Sequence, residues 1–224
     1  MTHFTQRATS SIMSGFGILV AVGIAALAVS LPGCSLLTSR PGSTQWTISI
    51  DGSSPTTEGT PMLGQLGVGR PRIAAPWNSG TLIYRFADGE ARADIYNGWV
   101  MPLDQILQAQ MVDALAHSKV ATSVTSAGLY GSDELSLVSS VRTFGAFFGT
   151  DRKGVTRVTL HALLLQRTDV DPRLIMDRTY EHESPVASDD AAGVIKGLSD
   201  AFGQCLGDLA RDLRALPADA LAKP

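Results

Sequence analysis

The chain has 224 residues, with 18 Lys and Arg against 21 Asp and Glu and a formal net charge of −3. That balance excludes the basic footprint that nucleic-acid binding requires and supplies no polybasic patch for anionic lipid headgroups. Two cysteines, Cys34 and Cys205, are too few for a disulfide-framed scaffold.

In chain order, Met1–Gly15 is polar with one cation, Arg7, and Phe16–Leu31 is built mostly of Gly, Ala, Val, Ile and Leu. This is the layout of a secretory signal. The apolar run is shorter than the roughly 20 residues that span a bilayer comfortably, which disfavours an uncleaved anchor. It ends in Leu31-Pro32-Gly33-Cys34. A cysteine behind a small residue at this position is where bacteria attach lipid. The thiol is the nucleophile that takes diacylglycerol as a thioether, and Gly33 fits the peptidase site before the cut. The expectation is a signal peptide over residues 1–33, cleavage between Gly33 and Cys34, and acylation of Cys34. Pro32 departs from the Ala, Ser, Thr or Val usual at its position. Each buried methylene contributes about 0.8 kcal/mol, so several acyl chains hold where one chain binds only marginally. Ser35, in place of an aspartate that would retain the protein at the inner membrane, points to the outer membrane. Lipidation also consumes Cys34 and leaves Cys205 without a partner.

Residues 34–44 read as a lipidated tether, 45–216 as one domain of ordinary size and 217–224 as a frayed tail. Trp46, Ile48 and Ile50 alternate with polar residues and predict a strand. Asp51–Pro61 is a loop, Met62–Val68 a weaker strand and Pro71–Gly80 a connector. Gly64, Gly67 and Gly69 do not follow a dinucleotide-binding order and read as strand breakers. Leu82–Phe86 and Ala91–Ile95 flank Asp88-Gly89, a type I′ hairpin signal. Pro102 suits a first helical turn, followed by an apolar stripe from Leu103 to Leu115. Val120–Val124 and Leu135–Phe144 are strands. Val155–Leu165 is the strongest, with Val158, Leu160, Ala162 and Leu164 facing one way. Asp171-Pro172 turns the chain into Leu174–Glu183, giving an antiparallel meander.

The last helix carries Ile195, Leu198, Phe202, Cys205, Leu206, Leu209 and Leu213 on one stripe, with Ser188 as its predicted N-cap and Asp189 and Asp190 at the positive end of its dipole. Pro217 stops it. Cys205 therefore reads as a small buried hydrophobe. The fold class is α+β: a mainly antiparallel sheet with two amphipathic helices packed on one face.

No catalytic constellation emerges. There is no nucleophile elbow and no phosphate-binding loop. His117, His161 and His182 lack metal-ligand spacing, and strand alternation sets His182 on the opposite face from Glu181 and Glu183. Asp169 and Asp171 fall in a turn, where acidic residues serve the backbone. Trp46, Trp77 and Trp99 read as core or edge anchors before they read as a lipid groove. No cofactor or metal is expected.

Several short motifs in order carry a resemblance. They are Trp46-Thr47-Ile48-Ser49-Ile50 soon after the lipidated cysteine, Leu82-Ile83-Tyr84-Arg85, Trp99-x-x-Pro102 opening a helix, and Arg178-Thr179-Tyr180 followed by Ser184-Pro185-Val186 and a long final helix. Over residues 34–215 the chain resembles the ABC-type transport auxiliary lipoproteins, the PqiC-like group that accompanies MCE-type lipid transport systems. The stretch Thr56–Gly69 fits least well. The resemblance implies a non-enzymatic subunit at the outer membrane. Its partners would be a periplasmic MCE-domain protein and, through it, an ABC permease and ATPase, and self-association is compatible with it. The alternative is a binding module that carries a lipid between sheet and helices. Tyr84 and Arg85 point to opposite faces of their strand, and Arg85 reads as the holder of a structural carboxylate or as a partner contact.

Overall fold

A computed structural model describes residues 42–50, 61–127, 134–151, 153–169, 171–188 and 190–221. The predicted signal peptide, Gly33, Cys34, most of the tether and Asp189 lie outside the described residues.

The organising strand is β7 (Leu135–Phe148). Along one edge it pairs antiparallel with β8 (Gly154–Gln166), which pairs antiparallel with β9 (Arg173–Pro185). Its other edge takes three short strands in succession, all parallel: β2 (Leu63–Val68), β3 (Arg72–Ile73) and β4 (Thr81–Phe86). β6 (Ala121–Ser126) extends the sheet beyond β2. β5 (Ala91–Trp99) pairs antiparallel with β4, and β1 (Thr44–Trp46) lies parallel beyond β5. The result is an open, mixed but mostly antiparallel sheet of nine strands, with α1 (Leu103–His117) and α2 (Ala191–Arg214) completing an α+β fold.

Both helices share one face, and a bulge makes this possible. Leu135, Leu137, Ser139 and Val141 point to the helix side, and between Val141 and Thr143 the register shifts, so that Phe144 and Ala146 continue on that side. Met111 of α1 meets Ser139, and Phe202 of α2 meets Phe144 edge-on, their ring centroids 6.2 Å apart. Val158, Leu160, Ala162 and Leu164 of β8 are fully buried under α2, as their alternation predicts. Burying the valine and leucine side chains among them stabilises the fold by about 1.5–3 kcal/mol each.

Local structure departs from the sequence reading in five places. Hydrogen-bonded pairing of the first strand covers Thr44–Trp46. Ile48 is buried, but Ile50 leaves the sheet and its N–H donates to Gln110 Oε1 of α1 at 3.0 Å. The connector before β4 contains β3 and buries Trp77 over Gly145, where any Cβ would collide with the indole. In the hairpin only Gly89 has positive φ, +85°, and its N–H donates to the Phe86 carbonyl. Type I′ requires two such residues, so the turn is a three-residue loop with glycine in the left-handed position. The cap of α2 is Asp190, which accepts from the Gly193 N–H at 2.8 Å, while Ser188 donates its hydroxyl to Asp190 at 2.6 Å. The predicted cap thus supports the actual one. Finally, the segment expected to fray forms a 3-10 turn over Ala218–Leu221, with Leu221 O accepting from Gln166 and Ala220 O from Arg173.

Candidate functional site

The most built polar cluster lies where β4, β5 and β1 meet. Ile83 pairs with Ala93 and Thr81 with Gly98, so Asp94–Asn97 of β5 bulge out opposite Leu82 alone. Asp94 holds that bulge. Its Oδ1 accepts the backbone N–H groups of Tyr96 and Asn97 at 2.9 and 3.1 Å. Its Oδ2 accepts the Tyr84 hydroxyl at 2.7 Å and the Asn97 amide at 2.9 Å. Asn97 Oδ1 in turn accepts Trp46 Nε1 at 2.7 Å. Partial burial pushes the Asp94 carboxyl upward, but the Tyr84, Tyr96 and Asn97 donors outweigh it and hold the group below the ordinary carboxylate range. The Tyr84 hydroxyl is raised, chiefly by burial, then by its hydrogen bond to Asp94 and by that group's charge.

A cleft of about 770 Å³ opens beside this cluster. The rings of Tyr84 and Phe86 pack against Phe148 at 6.0 and 5.7 Å. Arg92 lies 4.8 Å from the centre of the Phe86 ring and is held by Glu90 at 2.6 and 2.7 Å. Asp190, Ala191 and Val194, at the start of α2, close the far side. The polar groups here bond to one another. The surface offers aromatic and charged contact.

The residues singled out in the sequence take structural places. Arg157 pairs with Glu183 and lies 3.8 Å from Glu181 on the sheet face away from the helices, while His182 bonds Asp208 of α2 at 2.7 Å on the helix face. The expected separation by alternation holds. His161 meets Asp177 at 2.8 Å, and His117 Nδ1 lies 2.7 Å from the Asp113 carbonyl oxygen. Among the described residues no group of three or more His, Cys, Asp or Glu is placed to hold a metal ion. Cys205 is buried in the α2 stripe, and burial, then Asp208, pushes its thiol up to about 12. Trp77 and Trp99 are core residues. Trp99 packs edge-on to Phe144 at 6.0 Å, its backbone N–H donates to Gly80, and Pro102 directly precedes α1. Trp46 is an edge anchor. Arg85 faces away from the helices and, among the described residues, meets no carboxylate. Sequence reasoning missed Asp94. A lone aspartate two residues beyond Arg92, the strand partner of Tyr84, was the signal available.

The open mixed sheet with both helices on one face makes this an α+β domain. The family model for the ABC-type transport auxiliary lipoprotein component matches residues 46–210, and the chain belongs to that family. Two solved structures show the same fold. A protein from Xanthomonas campestris of the family DUF330 aligns with a TM-score of 0.65 at 23% identity, covering 75% of this chain and 93% of its own. An uncharacterised protein aligns at 0.59 and 19% identity, covering 76% and 98%. No curated protein matches the chain. Among the described residues no helix is long and apolar enough to cross a membrane.

Proposed function

We propose that this chain is the lipid-anchored auxiliary subunit of an MCE-type ABC transport system that moves phospholipid or other hydrophobic molecules between the inner and outer membranes. It is acylated at Cys34 after cleavage behind Gly33, faces the periplasm from the outer membrane, and acts by docking and positioning. An MCE-domain protein is its direct partner, and through it a permease and an ATPase supply the energy. The observation that carries this reading is the family match over residues 46–210. It is supported by a site whose polar groups are spent on shaping a surface, as Asp94 is on the bulge.

Affinity purification of the tagged full-length chain from its membranes, followed by mass spectrometry, tests it. An MCE-domain protein is expected among the co-purifying proteins, and deletion of the gene is expected to raise envelope permeability. Failure of both would end this reading.

The 770 Å³ cleft and its aromatic wall favour a second reading, a lipid-binding module. The space between sheet and helices is filled by side chains such as Leu107, Met111, Phe202 and Leu206. Bound lipid would therefore sit at the end of the core, and native mass spectrometry of the purified protein would show its added mass.

A further inference from the structure

The bulge that Asp94 fixes presents two large apolar side chains to solvent: Ile95 is 75% exposed and Tyr96 47%. Just beyond β5, Val100 and Met101 are 59% and 46% exposed. Four of the seven exposed large apolar residues among those described thus fall within residues 95–101, unlike the scattered single apolar residues of an ordinary surface. Nor are they a loose loop. Four hydrogen bonds to one carboxylate hold the Ile95–Tyr96 backbone out of the sheet, and the Val100 N–H donates to the Trp46 carbonyl at 2.9 Å.

The position of this ridge names its occupant. It flanks β1, whose Thr44 pairs with Asn97 in the bulge itself. Thr44 is where the chain arrives from Cys34. About ten residues separate the two, a fully extended span of at most roughly 33–36 Å. With Cys34 held in a bilayer, this sheet edge is the part of the domain tethered closest to lipid. Tyrosine carries both an apolar ring and a hydroxyl, which suits the membrane–water boundary.

We propose that Ile95, Tyr96, Val100 and Met101 form a second, non-covalent contact with the bilayer surface in which Cys34 is anchored, so that the domain is held at a fixed orientation. The proposal rests on the acylation of Cys34, and its test separates the two. Acylated full-length protein carrying Ile95→Cys, or Leu174→Cys on the opposite sheet edge, is labelled with an environment-sensitive fluorophore, Cys205 being buried. It is then reconstituted into vesicles of phosphatidylethanolamine and phosphatidylglycerol. Mass spectrometry of the N-terminal peptide and vesicle flotation read the anchor, and quenching by lipid-borne nitroxides reads the ridge.

The label at 95 is expected to shift to the blue and to be quenched severalfold more than the label at 174, at the roughly 5–10 Å depth where interfacial apolar faces sit. Protein that floats but shows equal, water-like signals at both positions overturns the ridge and leaves the anchor intact. Protection at 95 that appears only with a protein partner or a second copy also overturns it. Protein that is not acylated and does not float overturns both.

Discussion

Asp94 shows how one side chain sets the shape of a surface. Its four accepted hydrogen bonds include two from backbone N–H groups that the bulge removes from the β4–β5 ladder. Asp94→Ala leaves those donors to water and frees the Tyr84 hydroxyl. We expect a loss of about 1–2 kcal/mol in urea unfolding, at the low end for charged hydrogen bonds because the carboxylate is only partly buried. The pH dependence follows from the direction of the shift. A carboxyl whose folded pKa lies below its unfolded value near 3.8 contributes stability fully above that value and loses it as pH falls through the lower folded one. The difference between wild type and Asp94→Ala should therefore be constant from neutral pH to about 5 and narrow below about 4. Cys205 allows a second check. With its thiol buried and raised to about 12, a maleimide should leave the folded protein unmodified at neutral pH and react once denaturant is added, as read by mass.

At the scale of elements, legibility in the sequence tracked how local the determining contact was. β8 and α2 were readable because one face of each is uniformly apolar and the partner face needs no identification. The β7–β8–β9 meander followed from short turns. The attachment of β2, β3 and β4 along one edge of β7 did not, because parallel pairing joins residues such as Arg72 and Ser140 that no turn brings together. β3 has two residues and no period to detect. The strand reading ended at Ile95, inside the Asp94–Asn97 bulge, because a bulge erases the alternation that would mark it.

Trp77 read as a core or edge anchor and is buried, but what it packs on was not legible. Its burial depends on Gly145, a bare patch of backbone on a distant strand. Gly145→Ala should destabilise by about 1–3 kcal/mol through overpacking. The same change in a Trp77→Ala background should cost much less, and urea denaturation of the four proteins measures the coupling. Equal costs in both backgrounds would show that the indole does not rest on that glycine.

For the whole molecule, the decisive division is between what folds the domain and what places it. The described hydrophobic cluster draws on residues from Trp46 to Leu221, and its centre is the β7–β8 face under both helices. The outermost strand β9 carries Asp177, Glu181 and Glu183 on its face beside Arg157 and His161 of β8, charges on an edge strand that discourage pairing with other chains. None of this requires the residue proposed to carry lipid. Cys34→Ser should therefore leave the urea midpoint unchanged within about 0.5 kcal/mol, as expected of a change remote from the core. Its effect on location should be large. One acyl chain gives only marginal membrane binding, with an association constant of about 10⁴ M⁻¹, and stable attachment needs a second signal. Four exposed apolar side chains on one sheet edge are far smaller than the acyl chains they would have to replace. Expressed behind a signal peptide whose cleavage does not depend on residue 34, the Cys34→Ser protein should appear in the soluble fraction and the wild type in the membrane on cell fractionation, with identical thermal unfolding for the two. A Cys34→Ser protein that stayed with the membrane would move the anchor elsewhere, and one that lost its cooperative unfolding would make residue 34 part of the fold.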